Sequence, residues 1–252
     1  MMQNSDFPAI PAVFPAGERA LVLDFGNVID DAVNDRVTAY RAGIEKARIP
    51  GILEVVPTYR SLLVLYDPCI IRYDSLKEKL RAVSSSGTGA AGGVLRLLSV
   101  PCLYGGEAGP DLSALSSMTG LPEEEIVRLH CAPDYKIYML GFLPGFVYLG
   151  GLDSRICAPR LSTPRTRIPA GSVGIGGSQT GVYPVDSPGG WRLIGKTPLR
   201  FYDPAGDPPI LCRAGDRIRF RPVGADEYEA IRRKVEEGTY SPEFTAWKGG
   251  TE

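Results

Sequence analysis

Short apolar runs alternate with apolar residues at helical spacing along the first third of the chain. Runs rich in branched aliphatic residues predict strands at residues 20–25, 52–56 and 61–66. Apolar residues three and four apart predict two amphipathic helices, with buried faces that carry Val33, Val37, Tyr40, Ile44 and Ala47, and then Tyr73, Leu76, Leu80 and Val83. This β-α-β-β-α order, which residues 94–100 could complete, predicts a small two-layer α+β domain over residues 18–83.

Residues 84–93, with the sequence SSSGTGAAGG, have no apolar periodicity. Small and polar residues of this kind are typical of flexible connectors, because they bury too little apolar surface to pack. We therefore predict a linker here, followed by a second domain over residues 94–223 and a C-terminal extension over residues 224–252.

In the second half of the chain, a helical pattern gives way to a strand pattern. Two short helices are predicted at residues 112–118 and 123–130, the second opened by Pro122 and three glutamates. Glycine and proline then divide the chain into short strands, predicted at residues 137–142, 172–175, 180–183, 191–194, 199–202 and 217–221. Many short strands joined by such turns are typical of a closed barrel or a sandwich, so the predicted fold class is α+β.

Composition narrows the classes of function. The 252 residues carry 28 Lys and Arg against 29 Asp and Glu, so no global charge favours nucleic acid or an anionic membrane as a partner. The five cysteines contain no C-x-x-C pair and give no sign of a disulfide framework or a zinc cluster. Residues 1–17 lack the pattern of a signal peptide, and no apolar run approaches the roughly 20 residues that span a bilayer. We expect a cytoplasmic protein.

Residues 190–197, GWRLIGKT, satisfy the phosphate-loop pattern G-x-x-x-x-G-K-[ST]. A phosphate cradle needs a preceding strand and a long following helix whose amino terminus faces the phosphates. The residues that follow, PLRFYDP, are too short and strand-like for that helix. We therefore predict a strand between two turns at this position rather than a nucleotide site.

His130 is the only histidine. A Ser-His-Asp arrangement could be built only around it, and a metal site with several histidine ligands is excluded. A role in proton transfer competes with a simpler one, in which a protonated His130 stabilises the last carbonyls of its helix.

Aromatic residues stand among glycines in residues 141–151. Phe142, Phe146 and Tyr148 are placed where glycine allows close backbone approach. The arrangement suits the wall of a small-molecule pocket, and it suits the filling of a barrel core equally well.

Arg160 and Arg165 each follow a proline. Guanidinium groups held on stiff loops suit a carboxylate or a phosphate, although a solvated basic loop is the simpler alternative. Residues 168–181 add small residues, exposed amides and Gln179, which suit either an oxyanion site or a plain glycine-rich hairpin.

Ordered motifs run along most of the chain: P-x-Y-R-S-L from Pro57, C-x-Y-G-G-E-x-G-P-D-L from Cys102, G-F-x-P-G-F-x-Y-L-G-G-L-D from Gly141, P-A-G-S-V from Pro169, Q-T-G-x-Y-P from Gln179 and S-P-G-G-W-x-L-I-G from Ser187. Together with His130 and the two Pro-Arg dipeptides, they closely resemble the family of 5-oxoprolinase B subunits. That family includes the kinase inhibitor KipI and is also labelled allophanate hydrolase subunit 1. The resemblance extends from about residue 18 to residue 223.

The resemblance implies an N-terminal α+β domain followed by a cyclophilin-like β-barrel. It also implies ATP-dependent opening of 5-oxoproline to glutamate, in a complex with the C and A subunits of 5-oxoprolinase. ATP, with Mg, is then expected at the level of the complex. Lys196 stands where the family commonly has Arg, so no bidentate contact is expected there. The alternative implied by KipI is inhibition of a sensor histidine kinase, and the barrel alone would also admit a prolyl isomerase.

Residue chemistry assigns the roles that we expect at such a site. Arg160 and Arg165 neutralise the substrate carboxylate or a phosphoryl group, and His130 transfers or positions a proton. The side chain of Gln179 cradles the developing oxyanion together with two backbone amides, those of Gly171 and Ser172. The expected walls of the ring site are Phe142, Phe146, Tyr148, Tyr183 and Trp191. No metal site is predicted.

Overall fold

The structure is a computed structural model that describes residues 11–83 and 95–247. The chain divides into two units, residues 1–93 and 94–252. The predicted linker at residues 84–93 lies outside the described residues. Within the described ranges, no helix combines the length and hydropathy that crossing a membrane requires.

The first unit is a four-stranded antiparallel sheet with two helices packed on one face. Its elements are β1 (Ala12–Pro15), β2 (Ala20–Asp24), α1 (Asp31–Ala47), β3 (Ile52–Pro57), β4 (Ser61–Tyr66) and α2 (Tyr73–Arg81). The strand order is β1-β2-β4-β3. Because side chains alternate across a strand, Leu21 and Leu23 of β2 pack against the helices with Leu62 and Val64 of β4. The predicted two-layer arrangement is confirmed.

The start of α1 follows from its capping residue. The carboxylate of Asp30 accepts hydrogen bonds from the amides of Ala32, at 2.8 Å, and Val33, at 3.4 Å. These bonds satisfy amides that have no partner within the helix, so α1 begins directly after Asp30, just before the first residue of the predicted apolar face, Val33.

The second unit is a closed barrel of seven strands with helices around it. Its elements are β5 (Arg96–Tyr104), α3 (Leu112–Thr119), α4 (Glu123–Cys131), β6 (Tyr135–Leu140), β7 (Val147–Gly150), a short 3-10 helix (Ser154–Ile156), β8 (Arg165–Ile168), β9 (Ser172–Gly176), β10 (Gln179–Val182), β11 (Ser187–Gly189), β12 (Arg192–Lys196), β13 (Arg217–Pro222), α5 (Ala225–Glu236) and β14 (Phe244–Ala246). The barrel order is β12-β9-β10-β7-β6-β13-β5, and β12 pairs with β5 to close it. The predicted α+β class and closed barrel are confirmed.

Three sequence-based boundaries differ from the structure. Residues 94–100 do not complete the first unit, because β5 runs parallel to β13 within the barrel. The described part of the predicted C-terminal extension, residues 224–247, belongs to the second unit, since α5 packs on β5 and β14 pairs with β5. Residues 199–202 form a loop in which Leu199 and Phe201 fill the barrel core, and their alternating burial imitates a strand. That predicted strand is wrong.

Several elements carry too little pattern to be predicted from sequence. Strands β7, β8 and β11 have three or four residues each, and β11 contains both proline and glycine. β8 and β11 pair only with each other, as a small two-stranded sheet beside the barrel. Short segments of this kind are recognised by their neighbours in space rather than by their own periodicity.

The contact that closes the barrel leaves no room for a side chain at Gly195. Gly195 of β12 lies opposite Tyr104 of β5, and a Cβ at Gly195 would lie 2.7 Å from Sγ of Cys102 and 2.8 Å from the carbonyl oxygen of Leu103. We expect Gly195→Ala to lower the free energy of unfolding by about 1–3 kcal/mol, because the added methyl overpacks the seam. Urea unfolding measures the loss. Gly141→Ala, where a Cβ would meet no atom within 4 Å, is the matched control and should not destabilise the protein.

Candidate functional site

Most of the predicted site residues lie on the outer face of the barrel, and His130 lies inside it. Strand β10 shows the reason, because successive side chains of a strand point to opposite faces. Thr180 and Val182 point into the barrel interior, whereas Gly181 between them faces outward against the ring of Trp191. One strand therefore contributes to the core and to an outer surface.

The indole of Trp191 lies against the backbone of β9 and β10. A Cβ at Gly176 would lie 2.5 Å from Nε1 of the indole, and a Cβ at Gly181 would lie 3.1 Å from its Cζ3. Only glycine leaves room for the ring at these positions, because any other side chain would displace it. The glycine-rich hairpin is thus the seat of Trp191.

Five aromatic residues, Phe142, Phe146, Tyr148, Tyr183 and Trp191, form what we call the outer aromatic cluster. Three rings pack around Phe146 with centroids at 4.7, 5.2 and 5.5 Å, those of Tyr148, Tyr183 and Trp191. The cluster is separate from the main barrel core, so these residues do not fill the barrel. They lie on its outer face, and their role as the wall of a small-molecule site stays a prediction.

Phe142 is the exposed member of the outer aromatic cluster. Its centroid lies 5.8 Å from that of Phe146, and the residue is 65% exposed. Its backbone has a φ of 68°, a left-handed conformation that costs a residue other than glycine roughly 1–3 kcal/mol. Strain of this kind concentrates where a residue contacts a ligand or a partner.

Arg160 and Arg165 have different surroundings although both follow proline. The guanidinium of Arg160 lies 5.9 Å from the ring centroid of Trp191 and makes no ion pair with any residue in the described ranges. Nη2 of Arg165 donates to Oδ1 of Asp111 at 2.7 Å, so a carboxylate already balances its charge. Of these two arginines, Arg160 is therefore the one whose charge is available to an anionic ligand.

The segment that carries Arg160 is fixed by its hydrogen bonds. The amide of Leu161 donates to the carbonyl of Gly190 at 2.7 Å, and Nε of Arg192 donates to the carbonyl of Pro159 at 3.0 Å. Burial raises the pKa of Tyr148 and of Tyr183, and the positive charge of Arg160 opposes that rise at both hydroxyls. Arg160 thus acts electrostatically on the outer aromatic cluster.

Gln179, Gly171 and Ser172 are not equivalent in the structure. Gln179 lies opposite Gly176 in the ladder, so its side chain is on the outward face beside Trp191. The side-chain amide of Gln179 has no hydrogen-bond partner among the described residues. The amide of Gly171 donates to the carbonyl of Tyr183 at 2.7 Å, and that of Ser172 donates to Pro169 at 3.2 Å. Both backbone amides are engaged within the fold, so this arrangement does not form the predicted oxyanion cradle.

His130 is buried in the barrel interior with both ring nitrogens hydrogen-bonded. Thr180 donates from its hydroxyl to the carbonyl of Gly174 at 3.0 Å, so its oxygen accepts from Nε2–H of His130, at 2.8 Å. Nδ1 then accepts from the hydroxyl of Tyr104 at 2.8 Å. The order of donors fixes a neutral Nε2–H tautomer, and burial lowers the pKa of His130 to about 3.

The simpler role predicted for His130 is wrong, because the ring is neutral and does not cap the helix carbonyls. Its proton-transfer role stays a prediction, and the ring lies on the opposite face of β10 from Gln179. What His130 does in the fold is join α4 to Tyr104 and Thr180 through a saturated set of hydrogen bonds. A saturated buried network of this kind specifies one packing arrangement.

The phosphate-loop pattern at residues 190–197 is not a nucleotide cradle. Residues 192–196 form β12, and residues 197–203 contain no helix. The predicted strand is confirmed, and this segment does not fit ATP. Within the described ranges, no group of three or more His, Cys, Asp or Glu residues is arranged to hold a metal ion. Three cavities of about 550, 390 and 280 Å³ contain none of the predicted site residues in their linings.

Sequence reasoning missed two residues that organise this region. Asp111, which pairs with Arg165, precedes it by 54 residues, and no spacing rule connects them. Thr180 precedes an outward glycine, and its inward direction follows only from the register of β10. The signal for Asp111 is its place in the motif that begins at Cys102.

Protonation of His130 generates a prediction about stability. Burial lowers the pKa of His130 to about 3 in the folded chain, from an ordinary value near 6.5. Between these two pH values the unfolded chain binds more protons than the folded chain, so the free energy of unfolding decreases as the pH is lowered. We expect the free energy of unfolding to fall by about 2 kcal/mol more from pH 7 to pH 5 in the natural chain than in His130→Gln. Urea titrations at the two pH values measure it. Equal losses in both proteins would contradict a buried neutral imidazole.

A family model and several curated proteins match most of this chain. The family described as carboxyltransferase domain, subdomain C and D, matches residues 11–212. The chain is 42% identical over 230 residues to the 5-oxoprolinase B subunit of Bacillus subtilis, a match that covers 86% of this chain and 94% of that protein. The identity to the 5-oxoprolinase B subunit of Escherichia coli O157:H7 is 41% over 207 residues, covering 82% and 93%.

Solved structures agree with these sequence matches. The crystal structure of TTHA0988 has a TM-score of 0.72 at 36% identity, and the match covers 82% of this chain and 40% of that one. The urea amidolyase of K. lactis has a TM-score of 0.81 at 20% identity, covering 96% of this chain and 17% of that one, and this likeness concerns the fold alone. The motifs read from the sequence and the matched lengths agree, and the chain belongs to the family of 5-oxoprolinase B subunits, whose sequence comprises carboxyltransferase subdomains C and D.

Proposed function

We propose that the chain is one component of an ATP-dependent complex that opens 5-oxoproline to glutamate. Its relatives named as B subunits of 5-oxoprolinase, at 41% and 42% identity and over most of both chains, support a place in an amide-hydrolysing complex. The chemistry of the outer face of the barrel supports 5-oxoproline as the substrate.

The observation that carries the proposal is the position of Arg160 beside the outer aromatic cluster, with no ion-pair partner among the described residues. 5-Oxoproline is a small flat ring that bears one carboxylate. Its recognition needs a cation beside an apolar wall, with one or two polar groups that fix the orientation of the ring. The guanidinium of Arg160 can donate two parallel hydrogen bonds to the carboxylate, and the rings of Trp191 and Tyr148 provide the apolar surface.

Gln179 completes the set of contacts that a lactam requires. Its side-chain amide can donate to the ring carbonyl and accept from the ring N–H at the same time. In this proposal Arg160 holds the carboxylate, the outer aromatic cluster holds the ring, and Gln179 orients the amide bond. Opening adds water across the C–N bond, with the hydroxyl going to the carbonyl carbon and a proton going to nitrogen. ATP bound in the complex would activate the carbonyl oxygen by phosphorylation. A second water would then release the phosphoryl group, so that the products are glutamate, ADP and phosphate.

Arg165 receives a different duty from the one expected of it in the sequence. Asp111 balances its charge at 2.7 Å, so a second anion at Arg165 would compete with a buried carboxylate. We therefore assign recognition of the substrate carboxylate to Arg160 alone.

The remaining chemistry is assigned to partner polypeptides. The outer aromatic cluster is open on the side of Phe142, and residues 190–197, the segment with a nucleotide pattern, do not fit ATP. We propose that the C and A subunits of 5-oxoprolinase complete the site, and that ATP with Mg is bound by one of them. Inhibition of a sensor histidine kinase has less support, because the relatives at 41% and 42% identity are named as B subunits of 5-oxoprolinase.

An assembly assay tests the proposed function. The chain alone, and then the chain mixed with candidate A and C subunits, is supplied with 5-oxoproline and ATP, and the release of glutamate and ADP is measured. We expect turnover only in the full mixture, because the segment of this chain with a nucleotide pattern does not fit ATP. No turnover in a mixture shown to assemble would contradict 5-oxoproline as the substrate.

Replacement of Arg160 tests the anion-binding assignment within that complex. We expect Arg160→Met to lower kcat/KM for 5-oxoproline by about 10- to 100-fold, because a charge-assisted hydrogen bond to the carboxylate is lost. Arg167→Met is the matched control, since Arg167 is exposed, pairs with Asp186 and lies outside the outer aromatic cluster. Equal activities of the two variants would remove Arg160 from the site.

A further inference from the structure

The motif that begins at Cys102 forms a turn that lies against β12. The amide of Gly105 donates to the carbonyl of Ile194 at 3.1 Å. A Cβ at Gly109 would overlap that same carbonyl, so only glycine allows the turn to approach so closely. The motif carries no role in the proposed function, and its packing is nevertheless specific.

β12 is irregular at the place where this turn meets it. Its pairing with β9 shifts register between Leu193 and Gly195, which leaves Ile194 out of the ladder. A residue omitted from a ladder in this way has backbone groups that need partners elsewhere. The turn supplies one of them, through Gly105.

Asp111, at the end of the turn, binds β12 through both its backbone and its side chain. Its amide donates to the carbonyl of Leu193 at 2.9 Å, and its Oδ2 accepts from the amide of Leu193 at 2.6 Å. Its Oδ1 accepts from Nη2 of Arg165 at 2.7 Å. Asp111 is only 7% exposed, so these bonds form with little competition from water.

The geometry points to Asp111 as a positioning residue for the outer aromatic cluster. Leu193 is two residues beyond Trp191, and Nη1 of Arg165 approaches the carbonyl of Trp191 at 3.5 Å. One carboxylate therefore holds the strand that follows Trp191 and the arginine that braces the same residue. This inference rests on the proposed function for its meaning in catalysis, although the positional claim stands on hydrogen bonds alone.

Aspartate is required here for the number of its acceptors. An aspartate has an acceptor oxygen for each of two donors, Leu193 N–H and Arg165 Nη2. In Asp111→Asn one oxygen becomes an NH₂ group, which faces a donor and leaves one of the two bonds unmade. The substitution keeps the size of the side chain, so its effect reports the lost acceptor and charge.

Fluorescence of Trp191 tests the positional claim directly. The chain has two tryptophans, so Trp247→Phe leaves Trp191 as the only one. In that background we expect Asp111→Asn to raise the acrylamide quenching constant by at least about twofold, because the indole is released from its seat. Asp186→Asn is the matched control, since Asp186 also joins an arginine, Arg167, to a backbone amide but has no bond to β12. Unchanged quenching in a folded Asp111→Asn would overturn the inference.

A second variant keeps the test decisive if Asp111→Asn does not fold. Arg165→Met retains both bonds between Asp111 and Leu193 and removes the cation that balances the buried carboxylate. We expect the same direction of change in the quenching of Trp191, and no change would overturn the inference.

Kinetics of the assembled complex separates positioning from a loss of folded protein. We expect Asp111→Asn to raise KM for 5-oxoproline by roughly 5- to 10-fold with kcat within about twofold, because the ring wall is displaced in both ground and transition states. A fall in kcat at constant KM indicates fewer folded sites and would contradict positioning. If the natural complex does not turn over 5-oxoproline, the proposed function fails, while the fluorescence result still decides the place of Asp111.

Discussion

The pairing of β12 with β5 is the contact on which the second unit depends, because it closes a sheet into a barrel. Closure gives each strand one dry face and one outer face, and it pairs the edge of β12 with the end of β5 that β14 leaves uncovered. It also requires a backbone approach that a side chain at Gly195 would obstruct. Trp191 comes immediately before β12, so the position of this seam also determines where the indole meets β9 and β10.

Strand β10 carries a structural hydrogen-bond network on its inner face and candidate site residues on its outer face. On its inner face, Thr180 links His130 to the carbonyl of Gly174. On its outer face, Gly181 seats Trp191, and Gln179 points in the same direction. A shift of one residue in register would put the polar network into solvent and bury Gln179 in an apolar core, so the two faces specify each other.

Much of the fold could be predicted from periodicity. The features that could not be predicted depend on contacts between segments that are distant in sequence. The helix after Asp30 and the strands of the first unit are long enough to show their own pattern. Leu199 and Phe201 imitate a strand because alternating burial also arises in a loop that fills a core. The candidate aromatic and arginine residues could be selected by type, but the separation of Arg160 from Arg165 could not. It depends on Asp111, whose proximity to Arg165 arises only when the barrel brings their segments together.

The enclosure of the only imidazole has a consequence for the division of labour in an enzyme complex. Ring opening at neutral pH must deliver a proton to the departing nitrogen, and histidine is the side chain that most often does so. In this chain that side chain is held neutral in the barrel, with both nitrogens engaged. If the proposed function holds, a polypeptide built in this way recognises and orients the ring, and an acid other than this neutral imidazole protonates the departing nitrogen. The pH dependence of turnover would then report the pKa of that other acid rather than the pKa of His130.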